Sequence, residues 1–289
     1  MHDLSVVIVT YRSHAVLGRA LASIPRDCEV IIVDNASEEN PNRVIGDRPV
    51  LLFRNRRNAG YGAACNRGVA AAQNPYVLVM NPDVRLRPDT IQALRAAIAA
   101  NPDCDFFSPT IVDENGRQGV RTANAIETWA AKRLGRVAPD VPPGETRFLH
   151  GAAFLVRRQA FLDLGGFDER IFLYYEDDDL SFRIVQSGRG ILKVPEAVVD
   201  HETGSSCDKG LGSLFRRGRH KKRSEIYVTG KWNLGYSPAA DTLNHLGKIV
   251  FYAVTLNGSR LSSALGRLSG ILDRPPSRGR RRHVLSRPL

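Results

Sequence analysis

Hydrophobic and polar positions alternate in blocks through the first hundred residues. Leu4–Val9 is a β-branched run, the pattern of a strand buried on both faces. Val16, Leu17, Ala20, Leu21 and Ile24 then recur at helical spacing until Pro25 stops them. Val30–Val33 predicts a second buried strand ending on Asp34-Asn35, and Val50–Phe53 a short third one. A Gly/Ala-rich helix is predicted over 62–72, and Tyr76–Met80 predicts another strand, ending on Asn81-Pro82-Asp83. Pro88 opens a helix carrying Ile91, Leu94 and Ile98, which stops near Asn101-Pro102. Such alternation predicts an α/β fold with a mostly parallel central sheet and flanking helices. Ligands of such sheets bind beyond the carboxyl ends of the strands. Thr10-Tyr11, Asp34-Asn35 and Asn81–Asp83 all fall there, which predicts one shared crevice.

The pattern loosens between Asp103 and Arg147, with turn signals at Asn115-Gly116 and a proline-rich stretch, Pro139–Gly144. A mobile loop over the site and an ordinary surface excursion are both open readings of it. Apolar order returns at Phe148–Val156, then Gly165-Gly166-Phe167-Asp168, then a helix over Glu176–Ser187 closed by Gly188. Beyond Lys209 the chain is basic and carries helical apolar stripes at Leu243, Leu246, Ile249, Val250 and Val254 and around Leu261–Leu272. Arg274–Leu289, rich in Arg, Pro and Ser, is expected to be disordered.

Composition sharpens this picture in two ways. With 289 residues, 43% of them hydrophobic, the chain can bury a full core and carry an appendage. The net charge of +11 is unevenly placed: residues 209–289 hold 17 Lys/Arg against 3 Asp/Glu, while the preceding body is slightly acidic. A basic tail on a near-neutral body points to an anionic partner: membrane phospholipid, nucleic acid or a diphosphate-bearing substrate. Both an anionic membrane surface and contact of Arg216–Arg223 with such a diphosphate are open readings. Nucleic acid fits poorly, because Arg216–Arg223 has little aromatic interleaving and no zinc or helix-turn-helix signature accompanies it. The four cysteines are scattered without metal spacing, which predicts no structural disulfides and a reducing compartment. No signal-peptide pattern and no apolar run of membrane-spanning length is present. The expected location is cytoplasmic, with peripheral contact at the inner face of the plasma membrane.

Three groups of residues carry candidate chemistry. Asp34, at a strand end, can accept hydrogen bonds from a pyrimidine N–H or a ribose hydroxyl, or can simply form a turn. Asp83 can hold a hard divalent cation, Mg²⁺ or Mn²⁺, against a diphosphate, with His201 as a second ligand from another apolar run. The block Phe172–Leu180 contains four adjacent acids, Glu176 to Asp179. These repel one another unless a cation lies near or their pKa values rise. At a helix start they also meet the favourable end of the macrodipole. A carboxylate here is suited to take a proton from a sugar hydroxyl, and Asp179 could pair with Arg183 one turn on.

Taken in order, these motifs resemble the family 2 glycosyltransferases of GT-A fold over roughly residues 4–205. The resemblance rests on Ser5–Tyr11 with Val30–Ser37, Asn58-Ala59-Gly60-Tyr61-Gly62 with Asn66-Arg67-Gly68, and Asn81-Pro82-Asp83. Gly165–Glu169 and the Glu176-Asp177 pair extend it. It implies a nucleotide site lined by Thr10, Tyr11, Asp34, Asn58, Gly60, Asn66 and Asn81, with Asp83 as the metal-binding acid. It also implies Asp177 as general base beside Glu176, and Asp168 as an acceptor contact. The catalytic domain would span 1–208, its nucleotide-sugar half about 1–102 and its acceptor half about 103–208, followed by the extension 209–289. Asn81 stands where many members carry the first Asp of the metal motif, leaving fewer anionic ligands. Asn-Pro-Asp, Phe-Leu-Tyr-Tyr-Glu-Asp and a later His-x-x-Gly-Ser are most similar to bacterial rhamnosyltransferases, which use dTDP-L-rhamnose. That implies an inverting, metal-dependent enzyme of cell-envelope polysaccharide synthesis acting on a glycan or polyprenyl-diphosphate-linked acceptor. A UDP-sugar hexosyl or N-acetylhexosaminyl transferase and a non-catalytic nucleotide- or nucleic-acid-binding protein are the alternatives. A nucleotidyltransferase would place a glycine-rich phosphate loop after the first strand, where this chain reads Thr10-Tyr11-Arg12-Ser13.

Overall fold

A computed structural model describes residues 4–119, 121–135, 140–202 and 210–273. The first elements are β1 (Leu4–Thr10), α1 (His14–Ala22), β2 (Glu29–Asp34), α2 (Asn42–Ile45), β3 (Leu51–Arg54), α3 (Tyr61–Ala71) and β4 (Tyr76–Met80). Next come β5 (Val84–Leu86), α4 (Thr90–Ala100), β6 (Phe106–Asp113), α5 (Ala125–Arg133), β7 (Glu145–Thr146), β8 (Ala153–Arg157) and α6 (Arg158–Asp163). The chain continues through α7 (Glu176–Gln186), β9 (Ile191–His201), α8 (Leu211–Lys231), α9 (Pro238–Val254) and α10 (Gly258–Leu272).

All seven residues of β1 are buried, as its β-branched run predicts. Period-two alternation divides that run between two cores. Val6 and Ile8 meet Leu17 and Leu21 of α1 and Ile91 and Leu94 of α4 on one face. Val7 and Val9 meet Ala64, Cys65 and Val69 of α3 and Leu180 and Ile184 of α7 on the other. Helix α3 lies so close to the sheet that a Cβ added at Gly68 would sit 2.4 Å from Val7 Cγ1. That approach is why the helix is built from Gly and Ala.

The sheet runs β3-β2-β1-β4-β8-β6-β9-β5, with β7 paired to β9. Its first four strands are parallel, whereas β8 runs antiparallel to both β4 and β6. The mostly parallel expectation therefore describes the first half, and the second half is mixed. The loose region also contains more structure than its pattern shows. Strand β6 lacks a continuous strand pattern because Ser108, Pro109 and Thr110 interrupt its apolar run. Pro109 is accommodated by a register shift against β9 between Pro109 and Thr110, where a missing N–H costs little. Helix α5 shows little helical periodicity, because its apolar positions are weakly segregated from its polar ones.

The described chain forms two compact units. One comprises Met1–Asn124, Pro139–Glu169 and Glu176–Cys207, and the other Ala125–Ala138, Arg170–Tyr175 and Asp208–Leu289. This differs from a single cut after residue 208, because two earlier segments group with the C-terminal helices. In the second unit Ser224 Oγ donates to Leu173 O at 2.8 Å and Phe172 stacks on His220 with ring centroids 4.4 Å apart. Trp129 meets Tyr175 at 5.3 Å, and Tyr174 and Tyr175 both adopt a left-handed φ of 68°. Among the described residues, Cys28, Cys65 and Cys104 form no disulfide. Cys207 and the segment Arg274–Leu289 lie outside the described residues.

Candidate active site

Strand direction brings the candidate residues of the first unit to one sheet edge. Thr10 and Asp34 end parallel neighbours and are register partners, and Asn81 follows β4 on the same side. Because β8 is antiparallel, its beginning, with His150 and Gly151 just before it, shares that edge. Strand β9 runs parallel to β6, and its terminal His201 pairs in register with Val84, the residue after Asp83.

The nucleotide-side candidates divide into groups with distinct roles. Thr10 is fully buried and its hydroxyl has no hydrogen-bond partner, while its carbonyl accepts from Asn35 N–H at 2.8 Å. Tyr11 is exposed beside Arg12. Asp34 is fully buried and forms the turn contact, accepting from Ser37 N–H at 3.1 Å and from Arg54 Nε at 3.0 Å. Asn58 Oδ1 accepts from Asn35 at 2.9 Å and from Gly60 N–H at 3.0 Å. Gly60 holds a φ of 94° and ψ of 163°, a conformation open only to glycine, and begins α3. Asn35, absent from the expected set, organises this loop by also donating to Gly60 O and accepting from Asn55 and Ala59. Its signal was its place next to Asp34 at a strand end.

Asn66 is placed differently from expectation. Its amide donates to Phe167 O at 2.9 Å and Glu169 Oε1 at 3.1 Å, and accepts from Phe167 N–H at 2.8 Å. Both amide protons are committed to this clasp, so none remains for a nucleotide. The clasp fixes the segment containing Asp168, which is half-buried next to Phe167 and its aromatic neighbours Tyr61, Phe154 and Phe161.

At the edge between β5 and β9, Asp83 Oδ1 lies 3.4 Å from His201 Nε2, both groups mostly buried. Asn81 N–H donates to Ala152 O at 2.8 Å, tying this turn to the start of β8. His150, which the pattern did not single out, lies with its ring centroid 6.3 Å from that of His201. Burial, reinforced by His201 and Arg121, pushes its imidazole pKa down to about 4. Its Nδ1 accepts from Ala152 N–H at 3.0 Å, which assigns the proton of the neutral ring to Nε2. No sequence signal marked His150, because only the antiparallel direction of β8 reveals which end of that strand meets the site.

The four acids of α7 resolve into four settings. Asp179 is fully buried and pairs with Arg183 Nε at 2.9 Å, whose remaining N–H groups donate to Leu164 O and Gly166 O. Asp178 pairs with Arg121, whose guanidinium also lies 3.7 Å from the centre of the Phe148 ring. Asp177 sits against Gly151, whose N–H approaches Oδ2 at 3.4 Å, and its Oδ1 accepts from Asp178 N–H at 2.9 Å. Burial raises the Asp177 carboxyl above its ordinary range, and Arg121 opposes that rise. Glu176 is buried with Oε2 unsatisfied, and burial followed by repulsion from Asp177 raises its pKa well above the usual value. Two arginines thus relieve part of the repulsion expected of the block, and the raised pKa of Glu176 favours its neutral form.

Glu176 has a measurable consequence for stability. Between its ordinary pKa of about 4.3 and its raised folded value, the folded chain holds a proton that the unfolded chain has lost. Stability therefore falls as pH rises through that window. Replacing Glu176 by Gln should flatten this decline, leaving the variant at least as stable as the parent above neutrality. Thermal unfolding of both proteins across pH checks it, and parallel pH curves would contradict it.

A profile of glycosyl transferase family 2 matches residues 5–165. The N-acetylglucosaminyl-diphospho-decaprenol L-rhamnosyltransferase of Mycobacterium tuberculosis is 33% identical over 263 residues, covering 79% of this chain and 84% of its own. Among solved structures, S. aureus TarS 1–349 in complex with UDP-GlcNAc superposes with a TM-score of 0.57 at 16% identity, covering 92% of this chain and 90% of its own. A mannosyltransferase from Pyrobaculum calidifontis, in complex with GDP-Man and Mn²⁺, gives 0.56 at 18% identity, covering 94% and 88%. At such identities the two structures speak for the fold alone, the α/β architecture of GT-A type. The profile spans more than half the chain and the relative most of both lengths: the chain belongs to glycosyl transferase family 2.

Proposed function

We propose that the protein transfers L-rhamnose from dTDP-L-rhamnose to an N-acetylglucosaminyl-diphospho-polyprenol acceptor, with inversion at the anomeric carbon. The observation that carries the chemistry is Asp177, a half-buried carboxylate of raised pKa at the first turn of α7, held beside Gly151 at the sheet edge. A base so placed accepts the proton of the acceptor hydroxyl as its oxygen bonds to the anomeric carbon and the nucleoside diphosphate departs. A single displacement of this kind inverts the centre. The transferred sugar and the acceptor are supported by the rhamnosyltransferase relative, which is similar over most of both chains. The dTDP carrier follows from the resemblance of Asn81-Pro82-Asp83 and its companion motifs alone.

Thr10, Tyr11, Asp34, Asn58, Gly60 and Asn81 are assigned to the nucleotide side, with Asp168 toward the acceptor. The donor set of Asp83 and His201, a carboxylate oxygen just before β5 and an imidazole nitrogen at the end of its partner strand β9, suits Mg²⁺ or Mn²⁺. Such a cation, when bound, would neutralise charge developing on the leaving diphosphate. Among the described residues no third His, Cys, Asp or Glu joins a metal-binding group, so diphosphate oxygens and water would complete the shell. His150, neutral with its proton on Nε2, can donate a hydrogen bond without adding a charge.

Thermal stabilisation by nucleotides tests the donor assignment, since a ligand that binds the folded state raises the apparent melting temperature. dTDP with Mn²⁺ should stabilise more than UDP or GDP, and dTDP-L-rhamnose should support transfer. A clear preference for UDP would replace rhamnosyl by hexosyl or N-acetylhexosaminyl transfer.

A further inference from the structure

The second unit carries an apolar surface that its own packing does not use. Leu243, Leu246, Val250, Phe251 and Val254 of α9 are all exposed, between 46% and 77%. At 100° per residue they fall, with Ala and Gly between them, in an arc of about 140° that contains no charged residue. The opposite face turns inward, with His245 buried and paired to Asp241. Leu256, 90% exposed in the turn after α9, extends the apolar surface. The apolar stripe of α10, which the sequence offered equally, is partly spent on packing: Ala264 is buried and Leu261 and Leu268 are half-buried, while Leu265 and Leu272 are exposed. A Cβ at Gly266 would lie 2.0 Å from Phe215 O, and one at Gly218 2.4 Å from Ser263 O, so α8 and α10 meet almost backbone to backbone.

Charge distinguishes between possible occupants of this surface. The tail beyond residue 208 contains only three acids, Glu225, Asp241 and Asp273. Each is held in an internal ion pair: Glu225 and Asp241 with Lys222 at 2.8 Å, and Asp273 with Arg219 at 2.7 Å. Cations remain at the surface, among them Arg216, Lys248 on α9 itself and Arg260 just beyond it. The sequence after Asp273 adds six arginines and no acid. A second copy of the chain would oppose like charge to like charge, whereas an anionic lipid surface complements it.

We propose that the outer face of α9 inserts into an anionic lipid bilayer, with the helix lying in the interface and the surrounding cations on phosphate headgroups. No helix among the described residues is long and apolar enough to cross a membrane, so contact is at the surface. The value of such contact to a lipid-borne acceptor rests on the reading given above, but the insertion itself does not depend on the donor sugar.

Sedimentation of the full chain with vesicles tests it, using phosphatidylcholine alone or with about 30% phosphatidylglycerol, at about 50 and 500 mM salt. Binding is expected only to the anionic vesicles and should weaken with salt. The combined variant Leu243→Ser, Val250→Asn, Phe251→Ser and Val254→Asn should bind roughly tenfold or more weakly, because burial of apolar area is lost. These side chains are exposed, so the variant should melt as the parent does. In the single variant Phe251→Trp, indole emission should shift to the blue on adding anionic vesicles. Failure of the parent to bind at low salt would overturn the proposal. So would a fourfold variant that binds undiminished, or an unshifted indole. A parent that dimerises through this face, with the variant monomeric, would assign it to a second copy instead. Transfer to a soluble acceptor analogue, assayed without vesicles, is a separate readout that reports only on the catalytic reading.

Discussion

Asp177→Asn should lower the rate of transfer by about 10²–10⁴-fold while leaving donor affinity within a few-fold of the parent. The substitution keeps the shape of the side chain and removes its basicity. Asp178 N–H, which donates to Oδ1, can still meet the amide oxygen, so the first turn of α7 should hold, while the longer contact of Gly151 N–H with Oδ2 is given up. The pH profile provides a second check. The carboxyl must be ionised to accept a proton, and burial raises its pKa. The acidic limb of the rate profile should therefore lie above the range of an ordinary Asp and disappear in the variant. Single-turnover transfer and donor calorimetry separate the two effects. Near-normal turnover would move the base elsewhere, with Glu176 next in line, and loss of donor binding would make Asp177 an organiser of the site.

Asp83→Ala should reduce transfer by roughly 10²–10³-fold or more and weaken binding of the donor diphosphate, because its charge partner is removed. His201→Ala should act in the same direction more mildly, as it removes a neutral ligand rather than an anionic one. In both variants the response of donor affinity to added Mn²⁺ should shrink, which a purely structural role would not produce. Calorimetry with and without chelator measures this, alongside thermal unfolding to confirm the fold. Full activity in chelator, together with activity in both variants, would rule out the metal assignment.

The α/β class and most of the elements were legible because each β-branched run has no stable place except between two helical layers. The ends of those runs are likewise written in the chain: Thr10, Asp34 and Asn81 terminate strands whose parallel course follows from the helices between them. The acid block was legible as a feature, but its division of labour was not. Helical spacing points Asp179 to Arg183, as found. Nothing in four adjacent acids tells that Asp178 meets Arg121, or that Glu176 is the one buried, among the described residues, without an ion-pair partner for its raised pKa. Asn66 shows the same limit, since its motif position does not disclose that Phe167 takes up its amide. Strand β6 was obscured by Ser108 and Pro109, a local break in pattern that pairing with β9 overrides.

By itself, then, the sequence determined the layered α/β body, the polar strand ends, the acidic helix start and the basic, helix-forming tail. These depend on local periodicity and composition, which are read within a few turns of chain. Tertiary structure alone decided that β8 runs backwards and delivers His150 and Gly151 to the site, and that β9 sets His201 beside Asp83. It also decided that α10 packs on α8 through glycines while α9 keeps its apolar face outward. Each of those outcomes turns on the direction or spacing of segments far apart in sequence, and local pattern carries neither.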